Sequence, residues 1–234
     1  MADIALRGDL WDNDSADVLR WWGWRDITAP MDIQAALEAA GGEDVTLLIN
    51  SPGGDMAVGL EIRSMLRRYR GKTTALFQGY GASSATLAST GCQVIQSEPG
   101  ALLCYHNPSN TTEGDYRAMR RSAEALRNAR DCILEVYTAR SGAKTREELI
   151  SLMDKDIWIS PTQAKEYGLI DEIIGAGPEV ADPAAFVAAT GGRIRLTQAM
   201  REDYQAHVAA QRAEAARKEQ AKRTLARLKV LANY

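Results

Sequence analysis

A chain of 234 residues with 45% hydrophobic and 25% charged residues has the composition of a soluble globular protein, which argues against a disordered or fibrous chain. Its apolar runs are far shorter than the ~20 residues of a membrane span, and its N-terminus does not resemble a secretory signal, so we expect a cytoplasmic protein. The net charge of −3 is unevenly spread: residues 193–234 carry ten Lys and Arg against four Asp and Glu, a net +6, which leaves −9 on residues 1–192.

The first thirty residues are rich in tryptophan. Trp11, Trp21, Trp22 and Trp24 lie there among Gly, Asp and Asn residues. This mixture is typical of turns and short strands anchored by aromatic side chains. We therefore predict that the segment seals one edge of the domain.

Helical and strand patterns then alternate along the chain. In order, they predict a helix at Thr28–Ala40, a strand at Val45–Ile49, a helix at Met56–Tyr69 and a strand at Thr73–Gln78. Such alternation predicts a parallel sheet built from βαβ units. The glycine-containing segments after the two strands, residues 50–54 and 79–81, are interpreted as tight loops, which often carry function.

A long helix follows a compact region of small residues. Ala82–Thr90 suits a closely packed helix, and short strands are predicted at 93–96 and 102–105. The long helix is predicted over Asp115–Arg140, with Met119, Leu126 and Ile133 spaced seven apart in its apolar stripe. At about 1.5 Å per residue it reaches roughly 40 Å, which predicts contact with another subunit.

The last third of the chain changes in composition. A capping box at Thr145–Glu148 and a Ser-Pro pair at residue 160 predict two short helices, with Asp156–Ile159 extended between them. Thr197–Ala232 is rich in Ala, Arg, Lys and Gln and predicts a helix with a thin apolar stripe. We therefore predict a domain over 1–175, a linker over 176–195 and a basic helical tail over 196–234.

The three cysteines are odd in number and show no CxxC spacing. Cys92, Cys104 and Cys132 lie in apolar stretches, and we interpret them as structural, buried free thiols. We expect neither a metal site nor a cofactor.

Candidates for nucleophilic catalysis are few. Of the two histidines, His207 lies in the charged tail, where a solvated side chain is expected, so His106, after an apolar strand, is the candidate base. Ser83 and Ser84 begin a helix after a glycine-rich turn, where backbone N–H groups lie near the hydroxyls. By residue type alone, a structural histidine and close helix packing are the better interpretations of these positions.

Four ordered segments together resemble the ClpP peptidase family, over about residues 26–174. Leu48–Gly54 is similar to the family's strand and glycine turn, and Gly79–Ser83 to its G-x-A-A-S turn, with Gly81 in place of an alanine. Tyr105–Pro108 resembles its I-H-Q-P segment. Asp156–Ser160, followed by Ala164–Asp171, resembles its D-x-x-x-S and Y-G-L-I-D run.

The resemblance implies a fold and a mechanism. The fold would be an α/β ClpP/crotonase-like spiral of repeated ββα units, with a long handle helix and a C-terminal helical extension. Ser83 would be the nucleophile, His106 the general base and Asp156 the residue that orients the histidine. The N–H groups of Gly54 and Ser84 would form the oxyanion hole. Because the stretch from Ser83 to Gly91 is one residue shorter than in the family, the hydroxyl of Ser84 is an alternative nucleophile.

The resemblance also implies partners. The expected assembly is a homo-oligomeric ring acting on polypeptides. The Trp-rich start does not resemble the family's axial loop, so no ATP-driven unfoldase is expected. The chain as a whole looks more like the ClpP-type proteases of phage and prophage head assembly. Those proteases cut capsid or scaffold proteins in the host cytoplasm or the procapsid interior.

Several alternatives stay open. The tail could be scaffold-like, an autocleavage substrate, a docking helix or a solvated interaction helix; nucleic-acid binding is not expected, because aromatic residues do not interleave its charges. The chain could also be a catalytically silent assembly protein that keeps the shell. A crotonase-like acyl-CoA enzyme is disfavoured by the order Ser83, His106, Asp156.

Overall fold

The computed structural model describes residues 1–142, 144–175 and 196–231, so the predicted linker at 176–195 lies outside the described residues. The described residues contain eight strands, namely β1 (Ala2–Leu10), β2 (Ile27–Thr28), β3 (Val45–Gly54), β4 (Thr73–Ala82), β5 (Val94–Ser97), β6 (Leu102–Cys104), β7 (Trp158–Ile159) and β8 (Glu172–Ile173). They contain eight helices, namely α1 (Asn13–Trp21), α2 (Pro30–Ala40), α3 (Met56–Arg68), α4 (Ser84–Ser89), α5 (Tyr116–Ser141), α6 (Arg146–Lys155), α7 (Pro161–Glu166) and α8 (Gln198–Leu231).

The chain forms two compact units. One comprises Met1–Ala16 with the described part of Arg25–Arg193, and the other comprises Asp17–Trp24 with the described part of Ile194–Tyr234. The first unit holds the whole sheet and all the predicted site residues. Within the described residues, no helix is both long and apolar enough to cross a membrane.

The sheet confirms the predicted α/β fold. Six strands follow the order β2-β1-β3-β4-β5-β8, and every pair along this path is parallel. Strand β4 has two partners on the same side, because Thr74 pairs with Val94 of β5 whereas Tyr80 pairs with Leu102 of β6. Strand β7 then adds to β6 in the antiparallel sense. This fork brings the ends of β4 and β6 together.

Helices pack on the sheet through the apolar stripes that the sequence shows. Ile33 of α2 and Ile62 of α3 are fully buried and belong to the same core cluster as Leu47 and Phe77 of the two central strands. Because the central strands are covered, their apolar runs are nearly continuous, as parallel strands require. The predicted helices agree with the observed ones to within about two residues.

The prediction for the N-terminal segment is right about its place and wrong about part of its structure. Strands β2 and β1 both belong to the first thirty residues and form one edge of the sheet, but residues between them form helix α1 rather than turns and short strands. The period-2 alternation of β1 buries Ile4 and Leu6. Trp21, Trp22 and Trp24 do not anchor a core, since each is more than 40% exposed. Aromatic content alone does not reveal the period-2 alternation of β1.

The glycine segments predicted as loops belong to strands. Strand β3 continues to Gly54, which pairs with Leu10, and β4 continues to Ala82. Glycine is required there for close packing: a Cβ at Gly54 would lie 2.1 Å from the Leu10 carbonyl oxygen, and one at Gly81 would lie 2.1 Å from the Phe77 ring. The prediction was wrong because it took glycine as a sign of turning.

The long helix begins and ends as its sequence indicates. The Asp115 carboxylate accepts hydrogen bonds from the N–H groups of Arg117 and Ala118, and Gly142 closes the helix with φ of 60°. The second half of α5 buries Ile133 and Tyr137. Its first half packs little, and Met119 is 44% exposed although it lies on the predicted stripe.

The second unit contains an aromatic contact. The Trp21 ring lies 6.1 Å from that of Tyr204 and 5.0 Å from the imidazole of His207 on α8, and the Trp22 indole N–H donates to the Met200 carbonyl at 3.4 Å. His207 is therefore half-buried, and the prediction of a solvated side chain is wrong. Its partner is distant along the chain, so helix-local reasoning could not find it.

Candidate active site

Ser83 lies at a sharp turn between a strand and a helix. Strand β4 ends at Ala82 and α4 begins at Ser84, so Ser83 stands alone between them. Its backbone has φ of 55° and ψ of −129°, a conformation that costs a residue with a Cβ about 1–3 kcal/mol. A serine held in a strained strand-to-helix turn presents its hydroxyl at the carboxyl end of a sheet, as in nucleophile elbows.

The strained turn is held by hydrogen bonds on both sides of Ser83. Its N–H donates to the carbonyl of Cys104 on β6 at 3.0 Å. Its own carbonyl accepts from the Thr86 N–H at 3.0 Å and from the Thr86 hydroxyl at 2.7 Å. Gly53 allows the close approach, because a Cβ there would lie 2.7 Å from the Cβ of Ser83.

One cleft brings most of the predicted residues together. It has a volume of about 320 Å³, and its lining includes Gly54, Ser83, Ser84 and His106. The remaining wall is largely apolar, contributed by Met56, Leu87, Pro108, Leu126, Ala129, Ile133 and Tyr137. Such a cleft, mostly apolar with a few convergent polar groups, suits a bound organic substrate.

His106 is oriented by a backbone carbonyl. Its Nδ1 lies 2.7 Å from the carbonyl oxygen of Asn107. Because a carbonyl only accepts, this contact places the proton on Nδ1 and leaves Nε2 as an acceptor. That tautomer is the one a general base needs. The Asn107 side chain is in turn anchored, since its amide donates to the Asp154 carboxylate at 2.8 Å.

Asp156 is not bonded to the histidine. It ends α6 with φ of 47°, its side chain is exposed, and it is not among the residues that line the cleft. Among the described residues, no hydrogen bond joins Ser83 to His106 or His106 to Asp156. Catalytic hydrogen bonds are often long or unformed before substrate binds.

The two serines differ in access. Ser83 is half-buried in the cleft, whereas Ser84 is 1% exposed. The Ser84 hydroxyl has no hydrogen-bond partner among the described residues, and its Cβ packs toward Gly59 of α3. The backbone of Ser84 is therefore better placed to act in the cleft than its hydroxyl.

Sequence reasoning missed two buried polar residues beside the cleft. The hydroxyls of Thr86 and Tyr137 lie 2.7 Å apart and both residues are at most 2% exposed. Burial raises the pKa of Tyr137 above its ordinary value, which keeps the phenol protonated. Thr86 was hidden among small residues and Tyr137 in an apolar stripe, so only their pairing distinguishes them.

The cysteines take different positions. Cys92 and Cys104 are buried, and burial raises the pKa of each thiol to about 12, aided at Cys104 by the charge of Asp156. Cys132 is exposed, so the prediction that all three are buried is wrong for this residue. It lies in the second half of α5, next to the buried Ile133. Among the described residues, no three His, Cys, Asp or Glu side chains converge to hold a metal ion.

Comparison with known proteins identifies the family. The model of the Clp protease family matches residues 30–177, more than half of the chain. The ATP-dependent Clp protease proteolytic subunit of Chaetosphaeridium globosum is 31% identical over 132 residues, which cover 55% of this chain and 65% of that protein. The subunit of Mesostigma viride is 32% identical over 128 residues, covering 54% and 56% respectively. The chain thus spans under two thirds of the length of these relatives.

A solved structure shows the same fold. A mutant ClpP1 from Listeria monocytogenes superposes with a TM-score of 0.59 at 20% identity, covering 74% of this chain and 90% of that one. The matched stretch of sequence contains the strained Ser83 turn, the cleft and α5. On these grounds the chain belongs to the Clp protease family.

Proposed function

We propose that the protein is a serine endopeptidase in which Ser83 attacks the peptide carbonyl. His106 takes the hydroxyl proton through Nε2 and delivers it to the leaving amine, and Asp156 orients the imidazole. The N–H groups of Gly54 and Ser84 stabilise the oxyanion of the tetrahedral intermediate. Water then attacks the acyl-enzyme with the same base and releases the acid product.

The observation that carries the proposal is the backbone of the triad residues. Ser83 and Asp156 are the non-glycine residues with positive φ in the described part of the chain. Strain of this kind persists where the surrounding structure enforces it, and it concentrates at active sites. Asp156 has the left-handed conformation of a residue that ends a helix, which Asp adopts readily, so the unusual backbone of Ser83 carries most of this support.

The strand register supports the part assigned to Asp156. Strands β6 and β7 pair Leu103 with Ile159 and Cys104 with Trp158. Continuing this antiparallel register by two residues sets His106 opposite Asp156. The proposal is that the imidazole turns from the Asn107 carbonyl to the Asp156 carboxylate when substrate binds.

Labelling with a fluorescent alkyl fluorophosphonate tests the nucleophile. We expect the folded wild type to form one adduct, mapped to Ser83 by peptide mass spectrometry, and Ser83→Ala to form none. Ser84→Ala is the matched control and should still label, because its backbone N–H is retained. An adduct on Ser84 would transfer the assignment to that residue, and no adduct in folded protein would favour the silent assembly protein.

The proposed substrate is a capsid or scaffold polypeptide of a phage or prophage head, cut without an ATP-driven unfoldase. The support is the character of the chain outside the family match: an N-terminal segment with three exposed tryptophans and a basic helix of 34 residues. The family match and the strained serine favour peptide hydrolysis over an acyl-CoA reaction. Incubating wild type and Ser83→Ala with the candidate capsid protein tests it, since identical fragment patterns would contradict cleavage at this site.

A further inference from the structure

A chain of buried hydrogen bonds runs from α5 to the backbone of Ser83. The Thr86 hydroxyl lies 2.7 Å from the Ser83 carbonyl oxygen and 2.7 Å from the Tyr137 hydroxyl. The carbonyl can only accept, so the one proton of Thr86 goes to Ser83. Tyr137 must therefore be the donor to Thr86, and the chain runs Tyr137 to Thr86 to Ser83.

This chain acts where the backbone is strained. The direction of the Ser83 side chain depends on φ and ψ of that one residue, and relaxation of φ toward negative values would turn the hydroxyl away from the cleft. The Cys104 carbonyl accepts a hydrogen bond from the Ser83 N–H and so fixes the peptide group that precedes the Ser83 side chain. The Ser83 carbonyl after it accepts from the Thr86 N–H at 3.0 Å and from the Leu87 N–H at 3.4 Å, and the Thr86 hydroxyl adds the shortest of the three bonds, at 2.7 Å.

The surroundings strengthen the contact. Thr86 is fully buried and Tyr137 is 2% exposed, so water does not compete for either hydroxyl. The Tyr137 ring packs edge-on against Tyr105, with centroids 5.3 Å apart, which fixes the direction of its hydroxyl. Tyr105 is the residue before His106, so the same packing supports the strand that presents the base.

We infer that Thr86, held by Tyr137, is a positioning residue that keeps the Ser83 hydroxyl directed into the cleft; this inference rests on the proposed function of Ser83. The pair does not touch the reacting atoms. Removing the Thr86 hydroxyl should therefore slow the chemical step and leave the binding of the reagent unchanged.

Fluorophosphonate labelling separates these two effects, because it yields a maximal rate constant and a half-saturation concentration. We expect Thr86→Val, which keeps the shape of the side chain, to lower the maximal rate about tenfold with an unchanged half-saturation concentration. Thr86→Ser should restore the rate, since it restores the hydroxyl. Tyr137→Phe should have a smaller effect, because Thr86 still donates to Ser83.

Ser89→Ala is the matched control. Ser89 lies on the same short helix, is equally buried and donates to the Thr86 carbonyl at 2.8 Å, but does not contact Ser83. We expect it to label at the wild-type rate. A folded Thr86→Val protein that labels as fast as Ser89→Ala would overturn the inference.

A double variant tests whether a loss of stability explains the slower labelling of Thr86→Val. Thr86→Val leaves the buried Tyr137 hydroxyl without an acceptor, whereas Thr86→Val with Tyr137→Phe removes both partners, so its midpoint of thermal unfolding should recover. The labelling rate of the double variant should stay low. Recovery of both the unfolding midpoint and the labelling rate would contradict the inference. Labelling of Ser83→Ala at the wild-type rate would instead contradict the peptidase proposal itself.

Discussion

Ser83 and Asp156 have backbones that ordinary residues avoid, with φ of 55° and 47°. At the scale of single residues, this strain, the half-buried serine and the Nδ1 tautomer of His106 define the candidate site. The residue types of the site could be selected from sequence motifs. The φ angle of Ser83 could not, because it depends on hydrogen bonds to Cys104 and Thr86.

Asp156→Asn tests which group orients His106. If the carboxylate does so during turnover, this variant should lower the labelling rate by about 10⁴-fold, because an amide can stabilise the wrong tautomer and cannot stabilise the imidazolium. Glu147→Gln, an exposed carboxylate on the same helix, should have no effect. A loss of less than about tenfold in Asp156→Asn would assign the orienting contact to the Asn107 carbonyl instead.

Ser83→Gly tests the strain directly. Glycine tolerates positive φ, so Ser83→Gly should be more stable than Ser83→Ala by about 1 kcal/mol in urea unfolding. At Ser89, the last residue of α4, the order should reverse, because glycine is worse than alanine in a helix by up to about 1 kcal/mol. Equal stability of the two Ser83 variants would mean that the turn is not strained.

Thiol titration tests the cysteine environments. At pH 8 Cys92 and Cys104 should be buried and protonated, because their pKa of about 12 lies well above that pH. Ellman's reagent should therefore find one reactive thiol in the native protein, three in guanidinium and none in native Cys132→Ser. Three rapidly reacting thiols in the native state would contradict the structure.

At the scale of elements, the forked strand β4 is the central feature. Its first half pairs with β5 and its second half with β6, and the change of partner occurs where Gly79 and Gly81 lie. This fork sets the end of β6, with His106 beyond it, beside Ser83. Local patterns found both strands and the helix between β3 and β4, whereas the fork depends on contacts that periodicity does not encode.

Gly81→Ala tests the reason for glycine in the fork. The added Cβ would meet the Phe77 ring at 2.1 Å, so the free energy of unfolding should fall by about 1–3 kcal/mol. In a Phe77→Leu background, which shortens the side chain, the same substitution should cost measurably less. Equal costs in both backgrounds would show that the ring is not the obstacle.

At the scale of the whole molecule, the first half of α5 is one surface that the described residues leave exposed. Tyr116 is 66% exposed and Met119 is 44% exposed, on a helix of 26 residues. A helix with one apolar half packed and the other exposed is typical of a subunit contact. The ring proposed for this protein would cover that half with a second copy of the chain.

Sedimentation velocity tests the assembly. The wild type should sediment as a homo-oligomer, and Met119→Glu should shift it toward the monomer, because a charge would be buried in the contact. Glu124→Gln, an exposed and charged position on the same half, gives the matched control and should have less effect. A monomer alone at micromolar concentration would contradict the ring.

By itself, the sequence determined the α/β alternation, the helix ends and the residue types of the site, because periodicity, caps and motifs are local properties. Tertiary structure alone decided that β1 is interior, that the glycine segments are strands, that His207 packs on Trp21, and that His106 is held by a carbonyl. Each of these depends on which distant segments come into contact. A backbone angle such as that of Ser83 is the sum of such contacts, so local patterns could not reveal it.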